Sequence, residues 1–197
     1  MKQKLLIALL LALSLTSFSQ ESKFSIELNY PIPADKNFVG QNYNGIIDLG
    51  FKYRFVELGV VNIGASLNGG IIKNSKKDAV QPFDVTAYNI QPRIFVELDD
   101  DLLSKLHPSI GLGYSFMVFK ASGITTYNPE NPAIQTSSTS EIQGGINLNL
   151  AASYDVTQKF FAIIQYDFIK LSDTNEVPET NYNTHINVIK IGIGYRI

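Results

Sequence analysis

The sequence of 197 residues contains no cysteine and no tryptophan, and it has only two histidines. Without cysteine there is neither a disulfide nor the acylated N-terminal cysteine of a lipoprotein, so hydrogen bonds and packing must hold the fold together. Charged residues make up only 17% of the chain, against about 25% in soluble domains. The formal net charge of −2 gives no bulk electrostatic attraction to nucleic acids, so no nucleic-acid partner is expected.

The sequence also lacks, after its first residues, any apolar run long enough to cross a bilayer as a helix, which takes about 20 residues. Its most apolar stretch, Leu5–Leu15, follows two lysines and precedes the small residues of Ser17–Ser19. A basic segment, a short apolar run and small residues in this order are typical of a cleavable signal peptide. We therefore expect residues 1–19 to be a signal peptide, and residues 20–197 to form one exported domain that enters a membrane only as strands.

What the sequence does contain is a repeated alternation of apolar and polar residues with a period of two. The terminal stretch Asn187–Ile197 carries isoleucines and a tyrosine on one parity, and glycines, Lys190 and Arg196 on the other. Period-two alternation places two such sets on opposite faces of a strand. The predicted strands are residues 23–30, 44–55, 61–71, 87–98, 108–121, 141–154, 159–171 and 187–197.

The gaps between these strands alternate in length. Residues 31–43, 73–86, 122–140 and 172–182 form long polar gaps, whereas the gaps at 56–58, 99–107 and 155–158 are shorter. Such alternation is typical of outer-membrane barrels, which have long external loops and short periplasmic turns. We therefore predict an all-β fold, an eight-stranded antiparallel up-and-down transmembrane β-barrel with no separate linker.

The polar faces of the predicted strands combine glycine and asparagine with charges of both signs. A basic side chain that faces lipid at the bilayer midplane costs about 2–4 kcal/mol, so these groups are expected to turn inward and pair. The interior of eight strands is just wide enough for such side chains, and we expect no open pore. The predicted interior polar network consists of Asp48, Lys52, Arg54, Arg93, Glu97, Asp167, Lys190 and Arg196.

A secreted barrel of lipocalin type is the alternative, with the apolar face inward around a ligand and the polar face in water. Periodicity alone does not separate the two arrangements, since either face of each strand can be the inner one. The low charge, the glycine-rich polar faces and the alternating gap lengths favour the membrane. Pro92 argues against the strand at 87–98, because proline cannot donate to the hydrogen-bond ladder.

The signal peptide, the eight alternating strands and the terminal IKIGIGYRI resemble the small outer-membrane β-barrel proteins of OmpA/OmpX type in gram-negative bacteria. The resemblance covers essentially all of the mature chain, and it implies a monomer in the cell outer membrane, in contact with lipid and lipopolysaccharide. In that family the last strand commonly ends in an aromatic residue that the barrel-assembly machinery recognises. Here Tyr195 lies two residues before the end, and the final residue is Ile197.

Some barrels of this kind are lipid-A-modifying enzymes that use a histidine and a serine near the external rim. By resemblance, His185 and Ser172 are the candidate base and nucleophile of this chain. The other histidine, His107, is expected to be a rim residue in the connection that precedes Pro108. A histidine at a strand end needs no catalytic account, and we interpret the protein as a non-enzyme.

No phosphate-binding loop, zinc spacing or calcium loop occurs in the sequence, so no cofactor and no metal is predicted. Asp99–Asp101 lacks the alternating ligands of a calcium loop and is expected to cap one helical turn. The predicted function is that of an integral outer-membrane protein whose external loops serve envelope integrity, adhesion or partner binding. The loops carry no recognisable motif, so the sequence does not specify the partner.

Overall fold

The computed structural model describes residues 23–74, 84–99, 103–128, 131–172 and 179–197. In them the chain forms a closed barrel of eight strands, in which each strand pairs antiparallel with the next and β8 pairs with β1. This confirms the predicted all-β up-and-down barrel. The strands are β1 (Phe24–Ala34), β2 (Tyr43–Leu58), β3 (Val61–Asn74), β4 (Asp84–Leu98), β5 (Leu106–Asn128), β6 (Asn131–Asp155), β7 (Phe160–Leu171) and β8 (His185–Arg196).

Two short helices, α1 (Phe38–Asn42) and α2 (Asn181–Thr184), complete the described structure. No helix in this part of the chain has both the length and the apolar character needed to cross a membrane. The predicted signal peptide at residues 1–19 lies outside the described residues.

The outer wall of the barrel is apolar and its inner wall is polar. On β2, for example, Leu49, Phe51 and Tyr53 are between 41% and 50% exposed, whereas Asp48 and Lys52 are at most 5% exposed. The faces alternate because successive side chains of a strand point to opposite sides of the sheet. A lipocalin-type barrel has the opposite arrangement, so the soluble alternative does not fit. A continuous apolar wall of this extent matches hydrocarbon rather than water.

The two ends of the barrel differ, and we call them the turn end and the loop end. The turn end carries the first residue of β1, the last residue of β8 and the short connections between β2 and β3, β4 and β5, and β6 and β7. The first of these reverses at Gly59, which has a positive φ of 62°. The predicted reversal at 56–58 was therefore wrong, because Glu57 and Leu58 still pair with Asn62 and Val61.

At the loop end, the predicted loop at residues 31–43 is shorter than expected, because its two ends belong to β1 and β2. β1 continues through both prolines to Ala34 by pairing with β8, while its pairing with β2 ends at Asn29. The remaining residues include α1, whose N-cap Asn37 accepts a hydrogen bond from the Gly40 amide at 2.6 Å. A proline lacks only its own amide donor, so a strand that is paired on one side accommodates it.

The predicted loop at 122–140 was also wrong, because β5 and β6 extend as one long hairpin to Asn128 and Asn131. Two register shifts, between Ala121 and Ile124 and between Thr126 and Asn128, interrupt the ladder. Threonine and isoleucine in this segment favour extended backbone although the composition is polar. The predicted gap at 73–86 is shorter than expected, because its two ends belong to β3 and β4, and residues 75–83 lie outside the described residues.

Pro92 is accommodated within β4 on the outer wall. It pairs with Leu67 of β3, whereas pairing with β5 lapses at Gln91 and Pro92 and resumes in the same register at Arg93. The lapse occurs where proline has no amide to donate, and the strand remains continuous.

Candidate functional site

Four charged side chains meet in the middle of the barrel. Lys190 Nζ lies 2.7 Å from Asp48 Oδ2 and 2.9 Å from Asp167 Oδ2, and Arg93 Nη2 lies 2.8 Å from the same Asp167 oxygen. All four side chains are at most 1% exposed, although Arg93 as a whole residue is 4% exposed. Two acids and two bases make this central cluster neutral. Neutrality matters because an unpaired charge in such an interior costs several kcal/mol.

Amides from neighbouring strands complete the coordination of the central cluster. Asp48 accepts hydrogen bonds from Asn29 at 3.2 Å and Asn68 at 3.0 Å, and Asn149 donates to Asp167 at 2.6 Å. Arg93 also donates to the side-chain oxygens of Asn68, Gln91 and Asn147. With these bonds the carboxylates and the guanidinium use most of their donors and acceptors, which offsets the loss of water.

Two further ion pairs lie nearer the turn end. Lys52 Nζ is 2.9 Å from Glu27 Oε1, and Arg54 holds Glu97 through two bonds of 2.6 and 3.1 Å. A fork of this kind fixes both side chains in orientation. Gln165 donates to Glu27 at 2.8 Å and links this layer to the central cluster through Asn149, which donates to Gln165 at 3.2 Å.

Arg196 pairs with an acid that the predicted interior network does not include. Its partner is Asp155, at 2.6 Å, and not Asp48, Glu97 or Asp167. Arg196 lies opposite Ser25 at the turn end of β8, which places it below the central cluster. The sequence places Arg196 on the polar face of β8, but the height of its partner depends on the register of β6.

His107 belongs to β5 and not to the preceding connection, so its predicted position was wrong. It points inward and is 8% exposed, with Nδ1 3.2 Å from Asp99 and Nε2 3.0 Å from Asp155. Together with Arg196, it closes a polar rim at the turn end. Asp99 therefore contacts a histidine rather than a helix terminus, and residues 100–102 lie outside the described residues.

Two inward phenylalanines narrow the turn end, and each lies against a glycine of the neighbouring strand. Phe95 is paired with Gly64 and Phe161 with Gly194. Lys52 lies 5.6 Å from the centre of the Phe95 ring, and the Arg196 guanidinium lies 4.9 Å from the Phe161 ring. An aromatic ring over a strand glycine covers the exposed backbone and fixes the register.

The contact at Gly64 leads to a prediction. A Cβ at this position would lie 2.4 Å from both the Phe95 ring and the Tyr53 carbonyl oxygen, so we expect Gly64→Ala to destabilise the barrel by about 1–3 kcal/mol through overpacking. Gly69→Ala on the same strand is the control, because its nearest neighbour is 3.9 Å away. The measurement is urea unfolding in detergent micelles, followed by gel mobility. Equal midpoints for the two variants would contradict the prediction.

The loop-end half of the interior is apolar, which sequence reasoning missed. Val39 of α1 packs into it and closes the mouth, with Phe38 meeting Tyr43 and Tyr182 at ring distances of 5.8 and 6.2 Å. The sequence did contain a signal for this apolar region, because the inward-facing residues of several strands become apolar toward the loop end. The buried apolar residues are Val39, Tyr43, Ile72, Val85, Ala87, Met117, Ala121, Ile169, Leu171, Ile186 and Val188.

The candidate catalytic pair lies on the outside of the barrel. His185 is the first residue of β8 on the outward parity, and its ring is 5.3 Å from that of Phe168. Ser172 follows β7, is exposed, and donates its amide to the Gly144 carbonyl oxygen at 2.7 Å. Within the described ranges no hydrogen bond joins His185 to Ser172. In the same part of the chain, no group of three or more His, Asp or Glu side chains is arranged to hold a metal ion.

The sequence matches the family described as the outer membrane protein beta-barrel domain over residues 5–196. No curated protein matches the chain. Three similar solved structures are at most 14% identical to this chain, so their likeness shows the fold alone, which is that of a small outer-membrane barrel. One similar solved structure is Neisserial surface protein A (NspA), which is 14% identical over 89% of this chain and 98% of that chain, with a TM-score of 0.57. A second is a major outer membrane protein from Thermus thermophilus, which is 14% identical over 88% of this chain and 98% of that chain, with a TM-score of 0.56. A third is OprG from Pseudomonas aeruginosa, which is 11% identical over 88% of this chain and 95% of that chain, with a TM-score of 0.52.

Proposed function

The chain belongs to the outer membrane protein beta-barrel domain family, and we propose that it is a non-enzymatic surface protein whose β5–β6 hairpin binds an extracellular partner. The outer membrane is its location, and the apolar outer wall is its lipid-facing surface. The observation that carries the proposal is the length of the hairpin, which rises well beyond the strands on either side.

The orientation follows the usual order of outer-membrane barrels. A cleavable signal peptide at residues 1–19 would export the chain, the barrel-assembly machinery would insert it, and the turn end would face the periplasm. The loop end, with the β5–β6 hairpin, then lies outside the cell. Lipid and lipopolysaccharide surround the barrel, and its closed sheet leaves no edge within the membrane, which supports a monomer.

The hairpin rises above its neighbours on both sides. Pairing of β5 with β4 ends at Ser122, and pairing of β6 with β7 ends at Gly145, whereas β5 and β6 remain paired as far as Asn128 and Asn131. Within the described residues, each projecting strand thus has backbone donors and acceptors on its free edge. Such an edge accepts an extended segment of another protein as an added strand.

Two other functions are less well supported by the contacts. Enzymatic modification of lipid A would need His185 and Ser172 to act together, yet the ring of His185 contacts Phe168 instead. Conduction would need an open path, yet the described interior is filled by the central cluster in the middle, by α1 at one end and by Phe95 and Phe161 at the other.

Replacing residues 123–137 with a two-residue Asn-Gly turn tests the proposal. We expect the shortened protein to fold, because pairing of β5 with β6 below Ala121 and Thr139 remains. Heat-modifiable gel mobility checks the fold. Binding of cells to surfaces coated with extracellular proteins is expected to fall at least about tenfold, the equivalent of about 1.4 kcal/mol.

The matched control is the double variant His185→Ala with Ser172→Ala, which leaves the hairpin in place. It should bind as the parent protein does and leave lipid A unchanged. Unaltered adhesion of the shortened protein would overturn the proposed partner binding. Increased detergent sensitivity of cells without any loss of adhesion would assign the hairpin to envelope integrity instead.

A further inference from the structure

A lysine and a histidine lie side by side on the outer wall at the loop end. Lys170, the residue before the end of β7, pairs directly with His185 of β8, and both side chains are on the outward parity. Lys170 is exposed and His185 is half-buried. Neither side chain has a hydrogen bond or an ion pair with another residue in the described ranges, so both retain donors for a ligand outside the barrel.

Three hydrogen-bonded residues below this pair, Asn187, Tyr166 and Asp35, form a polar surface that we call the polar ledge. Asn187 is 8% exposed although it faces outward, because it accepts a hydrogen bond from the Tyr166 hydroxyl at 2.8 Å and donates to Asp35 at 3.0 Å. These bonds join β7, β8 and the residue that follows β1. The Phe168 ring packs against the His185 ring and fixes its position above Asn187.

The apolar wall below the ledge has the thickness of a membrane. From Phe160 to Phe168 on β7, every outward residue is apolar or tyrosine. This is a span of nine residues, and a tilted strand crosses the hydrocarbon layer in about 9–11 residues. Lys170 and His185 come one outward position later, which places their polar atoms at the level of lipid headgroups.

From this geometry we propose that Lys170 and His185 bind the phosphate of a lipid headgroup in the outer leaflet, while the acyl chains lie along Tyr166, Ile189 and Ile164. An ammonium group and an imidazole N–H donate charge-assisted hydrogen bonds to phosphate oxygens. The inference rests on the proposed function only where it assigns the loop end to the outer leaflet. It gives His185 a role in binding lipid rather than in modifying it.

A lipid, and not free phosphate, is the ligand that matches this surface. The site is exposed, and it consists of two cross-strand donors with the Asp35 carboxylate nearby. Water screens the charges there, so phosphate alone would bind with little favourable free energy. The apolar wall directly below adds the burial of acyl chains, at about 0.8 kcal/mol per CH₂ group. The two contributions combine only in a molecule that carries both groups.

Native mass spectrometry of the purified protein in a nonionic detergent tests the site. Bisphosphorylated lipid A is added, and the fraction of protein that retains it is compared between the parent and the double variant Lys170→Ala with His185→Ala. We expect the double variant to bind about tenfold more weakly, the loss of one charge-assisted hydrogen bond or more. Dephosphorylated lipid A should bind the parent protein as weakly as bisphosphorylated lipid A binds the double variant.

Lys120→Ala is the control, because Lys120 is also an exposed outward lysine at the loop end but lies opposite Thr86 and Ser140 rather than a histidine. It should retain lipid as the parent does, and excess inorganic phosphate should not displace the lipid. Equal retention by the parent and the double variant, or an equal loss in Lys120→Ala, would overturn the proposal. Displacement by inorganic phosphate alone would also overturn it. The hairpin-shortened protein keeps this site, so the result is independent of partner binding.

Discussion

Asp167→Ala is expected to lower the free energy of unfolding of the barrel by about 3–5 kcal/mol, the usual cost of removing one partner from a buried ion pair. Asp167 is fully buried and contacts Lys190 at 2.9 Å and Arg93 at 2.8 Å. Its loss leaves Asp48 as the only acid of the central cluster to face two bases. The charge that remains is uncompensated in a place that water does not reach.

Urea unfolding in detergent micelles, followed by heat-modifiable gel mobility, measures this effect. Asp84→Ala is the control, because Asp84 is an exposed acid that lies 3.5 Å from Lys73 with 69% of its side chain exposed. Exposed pairs of this kind contribute about 0–1 kcal/mol. Similar small losses in both variants would show that the interior is hydrated and that the central cluster adds little to stability.

A double variant separates charge balance from packing. Asp167→Asn together with Lys190→Met removes one acid and one base, and leaves Asp48 with Arg93 in a neutral interior. We expect it to be more stable than the sum of the two single variants indicates, by about 0.5–3 kcal/mol of coupling. Simple additivity would mean that the two side chains do not interact across the barrel.

Ile164→Arg is expected to destabilise the barrel in a phospholipid bilayer by about 2–4 kcal/mol, the cost of a basic side chain facing lipid at the midplane. Ile164 is 52% exposed on the outer wall of β7 and pairs with Ile191 of β8, halfway along the apolar span. On a water-facing surface the same change would be nearly neutral, because an exposed arginine is well solvated.

The matched control is Ile142→Arg, at the loop end of β6. Ile142 is 68% exposed and lies three residues beyond the last pairing with β7 at Gly145. There the cost should fall to about 0–1 kcal/mol, as near a membrane interface. The measurement is the free energy of unfolding by urea after reconstitution into bilayers. Equal effects at both positions would contradict the assignment of the outer wall to the hydrocarbon layer.

The extent of the strands shows where sequence reasoning failed. Residues 31–43 and 122–140 have the proline and polar content of loops, yet both contribute to strands. A strand that is paired with a neighbour obtains its hydrogen bonds from that neighbour, so its own composition decides less. Ala34 is held by Asn187 of β8, more than 150 residues away along the chain, and no local pattern contains this partner.

Which face of each strand is polar was determined by the sequence alone, and so was the number of strands. Side-chain alternation is a property of the extended backbone itself, so the parity of Lys190 and Arg196 is readable without any neighbour. Only the tertiary structure decided that the polar faces meet inside the barrel, that Lys190 reaches Asp48 and Asp167, and that Arg196 reaches Asp155. The physical reason is that these contacts depend on closure and register, which set the height of each inward side chain and arise only when β8 pairs with β1.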